Sequence, residues 1–130
     1  MRGLLPIPLT CIAMLVGGYA LAEGTGDPIN GAALYKTCKS CHQIGAGAKH
    51  RIGPHLNGVF GRAAGGLEDF KYSKSMQAAG GEGMVWTADT LDAFLENPKA
   101  VVAKTRMSFR GVKDATERQD ILAYIQTFAE

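Results

Sequence analysis

The sequence is poor in cysteine, with three in 130 residues. Cys11 lies in an apolar N-terminal segment that we expect to be removed, so only Cys38 and Cys41 remain. An oxidising compartment would normally pair the two cysteines of an exported chain in a disulfide. Because His42 directly follows the second cysteine, the group reads C-x-x-C-H and needs another explanation.

Two further absences in the sequence limit the possible roles of this C-x-x-C-H group. No convincing period-2 strand pattern is present, whereas a redox dithiol usually opens a helix within a strand-rich fold. There is also no second CxxC and no HxxxH to complete a zinc site, which needs four ligands at matched spacing. His50 and His55 could nominally join Cys38 and Cys41, but His42 next to Cys41 is awkward for the same tetrahedron. The remaining interpretation is covalent haem attachment, with one thiol per porphyrin vinyl and the histidine on the iron.

The N-terminal segment has the pattern of a secretory signal peptide. Arg2 precedes an apolar run over residues 4–18, and the small-x-small sequence ALA ends at Ala22. This pattern predicts export with cleavage after Ala22, which leaves one domain over residues 23–130. The alternative is a retained membrane anchor, because the segment approaches the roughly 20 residues that span a bilayer.

Charge is nearly balanced but unevenly distributed. Without residues 1–22, 13 Lys and Arg stand against 12 Asp and Glu, which gives no indication of nucleic-acid binding. Residues 28–67 and 97–113 each contain five Lys or Arg and no acid, whereas residues 82–96 contain four acids and no Lys or Arg. This is either chance along a solvated surface or a molecule with one basic and one acidic face.

Helical patterns dominate the remainder of the chain. Asp27 and Pro28 predict a helix start, and this helix runs into the CxxCH with a packing face of Gly31, Leu34 and Tyr35. Residues 45–70 hold seven glycines and little periodicity, as expected of backbone wrapped around a flat cofactor. A short helix is expected over residues 73–79.

Two more helices follow. Thr87 is predicted to cap a helix with Asp89 in its first turn, and Asn97-Pro98 ends it. Thr116 and Gln119 predict a capping box for the last helix. The predicted packing residues are Leu91, Phe94 and Leu95 on the first helix and Ile121, Tyr124, Ile125 and Phe128 on the second. The class is therefore all-α, with a small core that a haem would complete.

Several stretches resemble the class I cytochromes c, a family that includes the mitochondrial protein and bacterial periplasmic relatives. "RIGPHLNGVFGR" resembles the loop after the haem motif, "YSKS" and "MVW" the propionate-side stretches, and "FLENPK" the helix before the Met loop. "KTRMSFRG" resembles the Met loop itself and "ERQDILAYIQ" the C-terminal helix. The resemblance implies helices wrapped around one covalent haem c, with the N- and C-terminal helices crossing at Gly31 near Ile121 and Tyr124.

The resemblance also implies roles for single residues. Cys38 and Cys41 attach the haem, and His42 and Met107 are the axial ligands, with Met76, Met84, His50 and His55 as rivals for the sixth position. The carbonyl of Pro54 accepts the ring N–H of His42. The implied propionate partners are Arg62, Tyr72, Trp86 and Thr105.

Three departures from the family pattern affect the side of the sixth ligand. Ala103-Lys104 stands where the family commonly has Pro-Gly. Phe94 replaces a Tyr whose hydroxyl approaches the Met sulfur, and Met76 replaces an Asn near the propionates. The sequence therefore predicts a less rigid Met loop and a drier site.

The function implied by the resemblance is that of a periplasmic one-electron carrier, not an enzyme. It would shuttle between a membrane oxidoreductase, such as quinol–cytochrome c reductase, and a terminal acceptor of the respiratory chain. We expect a monomer that makes peripheral contact with membrane complexes through acidic docking surfaces and binds no nucleic acid. The alternatives are a haem enzyme or gas-binding module with Met107 displaced, and a zinc-binding module.

Overall fold

The computed structural model describes residues 25–129, which form six α-helices. Their bounds are α1 Pro28–Leu34, α2 Lys36–Lys39, α3 Lys74–Gly81, α4 Ala88–Glu96, α5 Pro98–Val101 and α6 Ala115–Gln126. Within residues 25–129 the β-type pairing is limited to one isolated bridge between Ala63 and Val85. The predicted all-α class is confirmed, and the predicted signal peptide lies outside the described residues.

No helix within residues 25–129 is long and apolar enough to cross a bilayer.

The first helix begins as predicted. The Asp27 carboxylate accepts a hydrogen bond from the Ile29 N–H at 2.8 Å, and Pro28 occupies the first helical position. Proline is well placed there because its missing N–H would have no partner inside the helix. After Tyr35 the chain re-enters helix as α2, which carries Cys38. The predicted helix that runs into the CxxCH therefore consists of two segments, α1 and α2.

Gly31 lets α1 cross α6 at close range. A Cβ atom built at Gly31 would lie 1.9 Å from the Asp120 carbonyl oxygen and 2.9 Å from Tyr124 Cβ. The rings of Tyr35 and Tyr124 pack beside this point with centroids 5.2 Å apart. The predicted crossing of the first and last helices is confirmed.

Helix α4 is capped by Thr87 as predicted, and Thr90 completes the cap. The Thr87 hydroxyl accepts from Thr90 N–H at 3.2 Å, and the Thr90 hydroxyl accepts from Thr87 N–H at 2.7 Å. Threonine thus takes the reciprocal role that Glu or Gln usually has. Asn97 ends α4, and Pro98 starts α5 in the next position.

The predicted capping box of the last helix is wrong. Helix α6 is capped by Asp114, whose carboxylate accepts from Glu117 N–H at 3.0 Å. Thr116 and Gln119 lie inside the helix, and the Gln119 amide donates to Asp92 Oδ1 at 3.2 Å. Asp114 is an equally strong cap that comes earlier in the chain, so the helix begins there.

The core lies between α1, α4 and α6 and the loops that join them. The predicted packing residues of α4 are buried, as are Ile121 and Ile125, whereas Tyr124 and Phe128 are half-buried. Phe128 lies beyond the end of α6. The buried apolar residues are Tyr35, Val59, Ala64, Met76, Trp86, Leu91, Phe94, Leu95, Val102, Ile121, Leu122 and Ile125.

Candidate haem site

The two thiols of the CxxCH are free and partly buried. Burial, together with the neighbouring Cys41, raises the pKa of Cys38 to about 11. A redox dithiol needs the opposite shift, because its attacking sulfur must ionise near neutral pH. Among residues 25–129 no group of three or more His, Cys, Asp or Glu is arranged to hold a metal ion. The raised pKa of Cys38 counts against the dithiol interpretation.

His42 is held in one tautomer. Its Nδ1 lies 2.7 Å from the Pro54 carbonyl oxygen, and since a carbonyl can only accept, Nδ1 carries the proton. Burial lowers the pKa of His42, which favours the neutral ring. The lone pair of Nε2 is then available to a metal, and a bond from the other ring nitrogen to an acceptor raises the basicity of such a ligand.

The backbone before Pro54 fixes where the His42 ring lies. Gly53 N–H donates to the Cys41 carbonyl at 2.9 Å, and a Cβ atom at Gly53 would lie 2.2 Å from His42 Cε1. The hydroxyl of the buried Tyr35 donates to the His42 carbonyl at 2.9 Å. Gly53 and Tyr35 were not among the residues predicted for the site. The Gly-Pro pair at residues 53–54 was the signal that could have revealed Gly53.

A second polar group consists of Arg62, Tyr72 and Trp86. The Arg62 guanidinium donates to the carbonyl of His55 at 3.0 Å. The backbone N–H of Trp86 donates to the backbone carbonyl of Arg62 at 2.9 Å. Burial lowers the pKa of Arg62 and raises that of Tyr72. Among residues 25–129 no carboxylate lies within ion-pair distance of Arg62. A partly buried cation without a counter-charge fits an anionic group such as a haem propionate.

The Met loop lies over the core. Met107 is partly buried against the core cluster, and its N–H donates to the Thr105 hydroxyl at 3.3 Å. Lys104 adopts a φ of +59°, a conformation that favours glycine. The family commonly has glycine at this position, so the departure noted in the sequence places a strained residue in the loop.

The rival sulfur ligands are Met76 and Met84, and Met84 is partly buried against the core, as Met107 is. Met76 is a buried core residue on α3. The backbone of Met84 is fixed by two hydrogen bonds. Its carbonyl accepts from the Ala64 N–H at 2.9 Å, and its N–H donates to the Ala79 carbonyl at 3.0 Å.

The rival histidines form a separate cluster with Asp69 and Phe70. The His50 and His55 rings stack with centroids 4.9 Å apart and an interplanar angle of 13°. His50 Nδ1 accepts from the His55 N–H at 3.2 Å, and His50 Nε2 lies 3.0 Å from Asp69 Oδ1. His50 is thus engaged on both ring nitrogens, whereas His55 Nδ1 is buried without a hydrogen-bond partner among residues 25–129.

Taken together, the side chains present fit a covalent haem. Cys38 and Cys41 supply two thiols at the attachment spacing, and His42 supplies a neutral imidazole with a free nitrogen. Arg62 supplies a cation without a counter-charge, and Met107 a soft thioether at the edge of the core. Phe94 is buried, with its ring 4.9 Å from that of Trp86.

The chain is similar to known cytochromes c. Residues 29–129 match the family model described as Cytochrome c. Cytochrome c2 of Afifella marina is 48% identical over 98 residues, which cover 75% of this chain and 79% of the relative. Cytochrome c2 of Agrobacterium tumefaciens is 45% identical over 100 residues, covering 77% of this chain and 90% of the relative.

Solved structures give the same result. Cytochrome c2 of Rhodospirillum centenum superposes with a TM-score of 0.76 at 37% identity, covering 81% of this chain and 100% of that one. Cytochrome cH of Methylobacterium extorquens superposes with a TM-score of 0.71 at 34% identity, covering 78% and 99%. The chain therefore belongs to the cytochrome c family, as an electron-transfer protein that carries one covalently attached haem c.

Proposed function

We propose that this cytochrome is a periplasmic one-electron carrier that shuttles between a membrane oxidoreductase and a terminal acceptor. Cys38 and Cys41 attach the haem, and His42 and Met107 ligate its iron. The observation that carries the proposal is the 2.7 Å contact between His42 Nδ1 and the Pro54 carbonyl. It leaves Nε2 as the free nitrogen of an imidazole directly beside the two thiols.

His42 and Met107 have different effects on the iron. When it is bound, the haem supplies one-electron exchange between Fe(III) and Fe(II). Pro54 strengthens His42 as a donor, whereas the thioether of Met107 is soft and weak and favours the reduced iron. Because Met107 also fills the sixth position, it keeps oxygen and peroxide from the metal.

Arg62, Tyr72, Trp86 and Thr105 hold the propionates in this proposal. The carboxylates would give Arg62 the counter-charge that residues 25–129 do not provide. The Tyr72 hydroxyl, whose pKa is raised by burial, would donate to them. Thr105 hydrogen-bonds to the Met107 N–H and so links this side of the haem to the Met loop.

Location and partners complete the proposal. Cleavage after Ala22 would release residues 23–130 as one domain into the periplasm, and a retained anchor is the alternative. Quinol–cytochrome c reductase is the proposed donor, reached by peripheral contact of a monomer with an acidic surface. The acid-free basic stretches of the sequence support this choice of surface.

Replacing Met107 tests the ligation. Met107→Ala should leave the haem attached but open the sixth position, so the reduced protein should bind carbon monoxide and the oxidised protein should show weak peroxidase activity. Met84→Ala, which also removes a partly buried thioether, is the matched control and should retain the weak thioether-to-iron absorption of the ferric protein. Equal carbon monoxide uptake by wild type and Met107→Ala would refute the assignment of Met107.

A further inference from the structure

Arg118 is a buried cation that joins three parts of the molecule. The residue is 7% exposed, and its Nε donates to Asp92 Oδ1 on α4 at 2.9 Å. Its Nη1 donates to the carbonyls of Val112 at 3.0 Å and Lys113 at 3.1 Å. One planar guanidinium on α6 therefore binds both α4 and the segment that follows Met107, which suits its fixed fork of donors.

That segment lies directly against the C-terminal end of α4. Val112 N–H donates to the Leu95 carbonyl at 2.8 Å, and Lys113 Nζ donates to the Glu96 carbonyl at 2.7 Å. Gly111 has a φ of +94°, and a Cβ atom there would lie 2.0 Å from the Glu96 carbonyl oxygen. Residues 111–113 thus anchor one end of the Met loop.

The other end of the loop is anchored by Val102, which is 3% exposed and whose N–H donates to the Pro98 carbonyl at 2.9 Å. Between these anchors the described backbone bonds are local: Thr105 to Val102 and Phe109 to Met107. Contact with a distant segment comes from the Arg106 guanidinium, which donates to the Lys71 carbonyl. The position of Met107 therefore depends on how firmly the two ends are fixed.

We infer that the Asp92–Arg118 pair is a positioning element that keeps Met107 in place as a ligand. The inference depends on the proposed ligation of the iron by Met107. Without the Asp92 charge, the buried guanidinium lacks its counter-ion and gains by turning toward water. That movement would break both carbonyl bonds at once and release residues 112–113, so Met107 would leave the iron more often.

The test measures how often the sixth position opens. At saturating cyanide the binding rate of the ferric holoprotein is the rate at which Met107 detaches. Asp92→Asn should raise this rate at least about tenfold, because it removes the charge that the half-buried Asp92 sets against the buried Arg118 guanidinium. The amide of Val112 should also exchange hydrogen faster. Asp89→Asn, an exposed acid in the first turn of the same helix, is the matched control and should leave both rates unchanged.

A second variant keeps the inference testable if Asp92→Asn folds poorly. Arg118→Lys retains the charge opposite Asp92 but not the fork that reaches two carbonyls, so it should also accelerate cyanide binding. A third variant, Ile125→Val, weakens the core two helical turns after Arg118 on α6. If Ile125→Val accelerates cyanide binding as much as Asp92→Asn at an equal loss of overall stability, the pair does not position Met107.

The two proposals fail in distinguishable ways. A wild-type ferric protein without the thioether-to-iron absorption would show that Met107 is not the ligand, which overturns the proposed ligation. A wild type with that absorption, combined with equal cyanide rates in Asp92→Asn and Asp89→Asn, would overturn only the role of the pair.

Discussion

Asp120 is a single carboxylate that fixes the start of α1. The residue is 6% exposed, its Oδ1 accepts from the Asp27 N–H at 2.7 Å, and its Oδ2 accepts from the Asn30 amide at 2.7 Å. The bond from Asn30 and then that from Asp27 hold the pKa of Asp120 below its ordinary value. The ionised form is therefore bound more strongly in the folded protein than in the unfolded chain.

This shift predicts a dependence of stability on pH. Because the folded pKa is depressed, the contribution of Asp120 is present above its unfolded value of about 3.9 and is lost as pH falls through the folded pKa. Asp120→Asn should lower the denaturant midpoint at pH 7, and the difference from wild type should shrink below about pH 4. A constant difference from pH 7 to pH 3 would show that the charge of Asp120 is not involved.

Phe94 stands where the family resemblance implies a Tyr whose hydroxyl approaches the Met sulfur. In Phe94→Tyr the new hydroxyl should donate to the Met107 sulfur, withdraw electron density from it and favour Fe(II). The reduction potential should then rise by less than about 59 mV, the shift that a tenfold change in equilibrium gives for one electron. If the hydroxyl instead stays unpaired beside Trp86, the potential will not move and stability will fall by roughly 1–3 kcal/mol.

At the scale of helices, the crossing of α1 and α6 depends on Gly31. Gly31→Ala gains helix propensity but drives a methyl group to within 1.9 Å of the Asp120 carbonyl oxygen, so it should cost about 1–3 kcal/mol of unfolding free energy. Gly81→Ala at the end of α3 is the control, since nothing lies within 4 Å of its Cβ position. That variant should be neutral or stabilising by up to about 1 kcal/mol. Similar denaturation curves for both variants would contradict this account of the crossing.

The start of α6 distinguishes two caps. Asp114→Ala should cost about 1 kcal/mol because it removes the acceptor of the Glu117 N–H. Thr116→Ala should change stability little, since Thr116 is exposed inside the helix. The measurement is the unfolding free energy of each variant. A larger loss for Thr116→Ala would restore the capping box that the sequence suggested.

Sequence patterns predicted the positions of the helices better than the residues that cap them. The caps at Asp27 and Thr87 could be predicted because a cap bonds to residues two or three positions away. The reciprocal threonine of α4 was missed because Thr90 does not match the usual Glu or Gln. At the start of α6 two local signals competed, and local patterns alone do not decide between Asp114 and Thr116.

For the molecule as a whole, long-range pairs set the limit of prediction. The contact between His42 and Pro54 was expected because the family resemblance supplied it. Asp120 with Asn30 and Arg118 with Asp92 are separated by 90 and 26 positions, and nothing in the spacing pairs them. Such contacts arise only when α6 packs against α1 and α4.

The distribution of charge also has to be judged on the folded molecule. Nine of the ten basic residues of the acid-free stretches are exposed, and the docking surface is predicted from six of them: Lys39, Lys49, Arg51, Lys104, Arg106 and Arg110. The first three lie close to the CxxCH in the chain, and the others flank Met107. Among the four acids of residues 82–96, Asp92 is neutralised by Arg118, which leaves Glu82, Asp89 and Glu96 exposed. The predicted acidic face is therefore weaker than the sequence suggested.

Because the net charge is small, the basic side chains should orient the protein on an acidic partner as well as attract it. Such steering raises association rates by roughly 10 to 1,000-fold and weakens as salt shortens the screening length to about 8 Å at physiological ionic strength. Lys104→Glu should slow second-order electron transfer with purified quinol–cytochrome c reductase several-fold at low salt and little at high salt. Lys104 is a cleaner target than Arg106, whose guanidinium also bonds to the Lys71 carbonyl.

The matched control is Lys74→Glu, which makes the same charge change at the first residue of α3, outside the six basic positions. It should slow electron transfer much less, with the haem spectrum of both variants unchanged. If the two variants slow the reaction equally, net charge rather than a docking surface governs association. A wild-type rate that stays constant from low to high ionic strength would exclude electrostatic steering and favour an apolar contact around the partly buried Phe109.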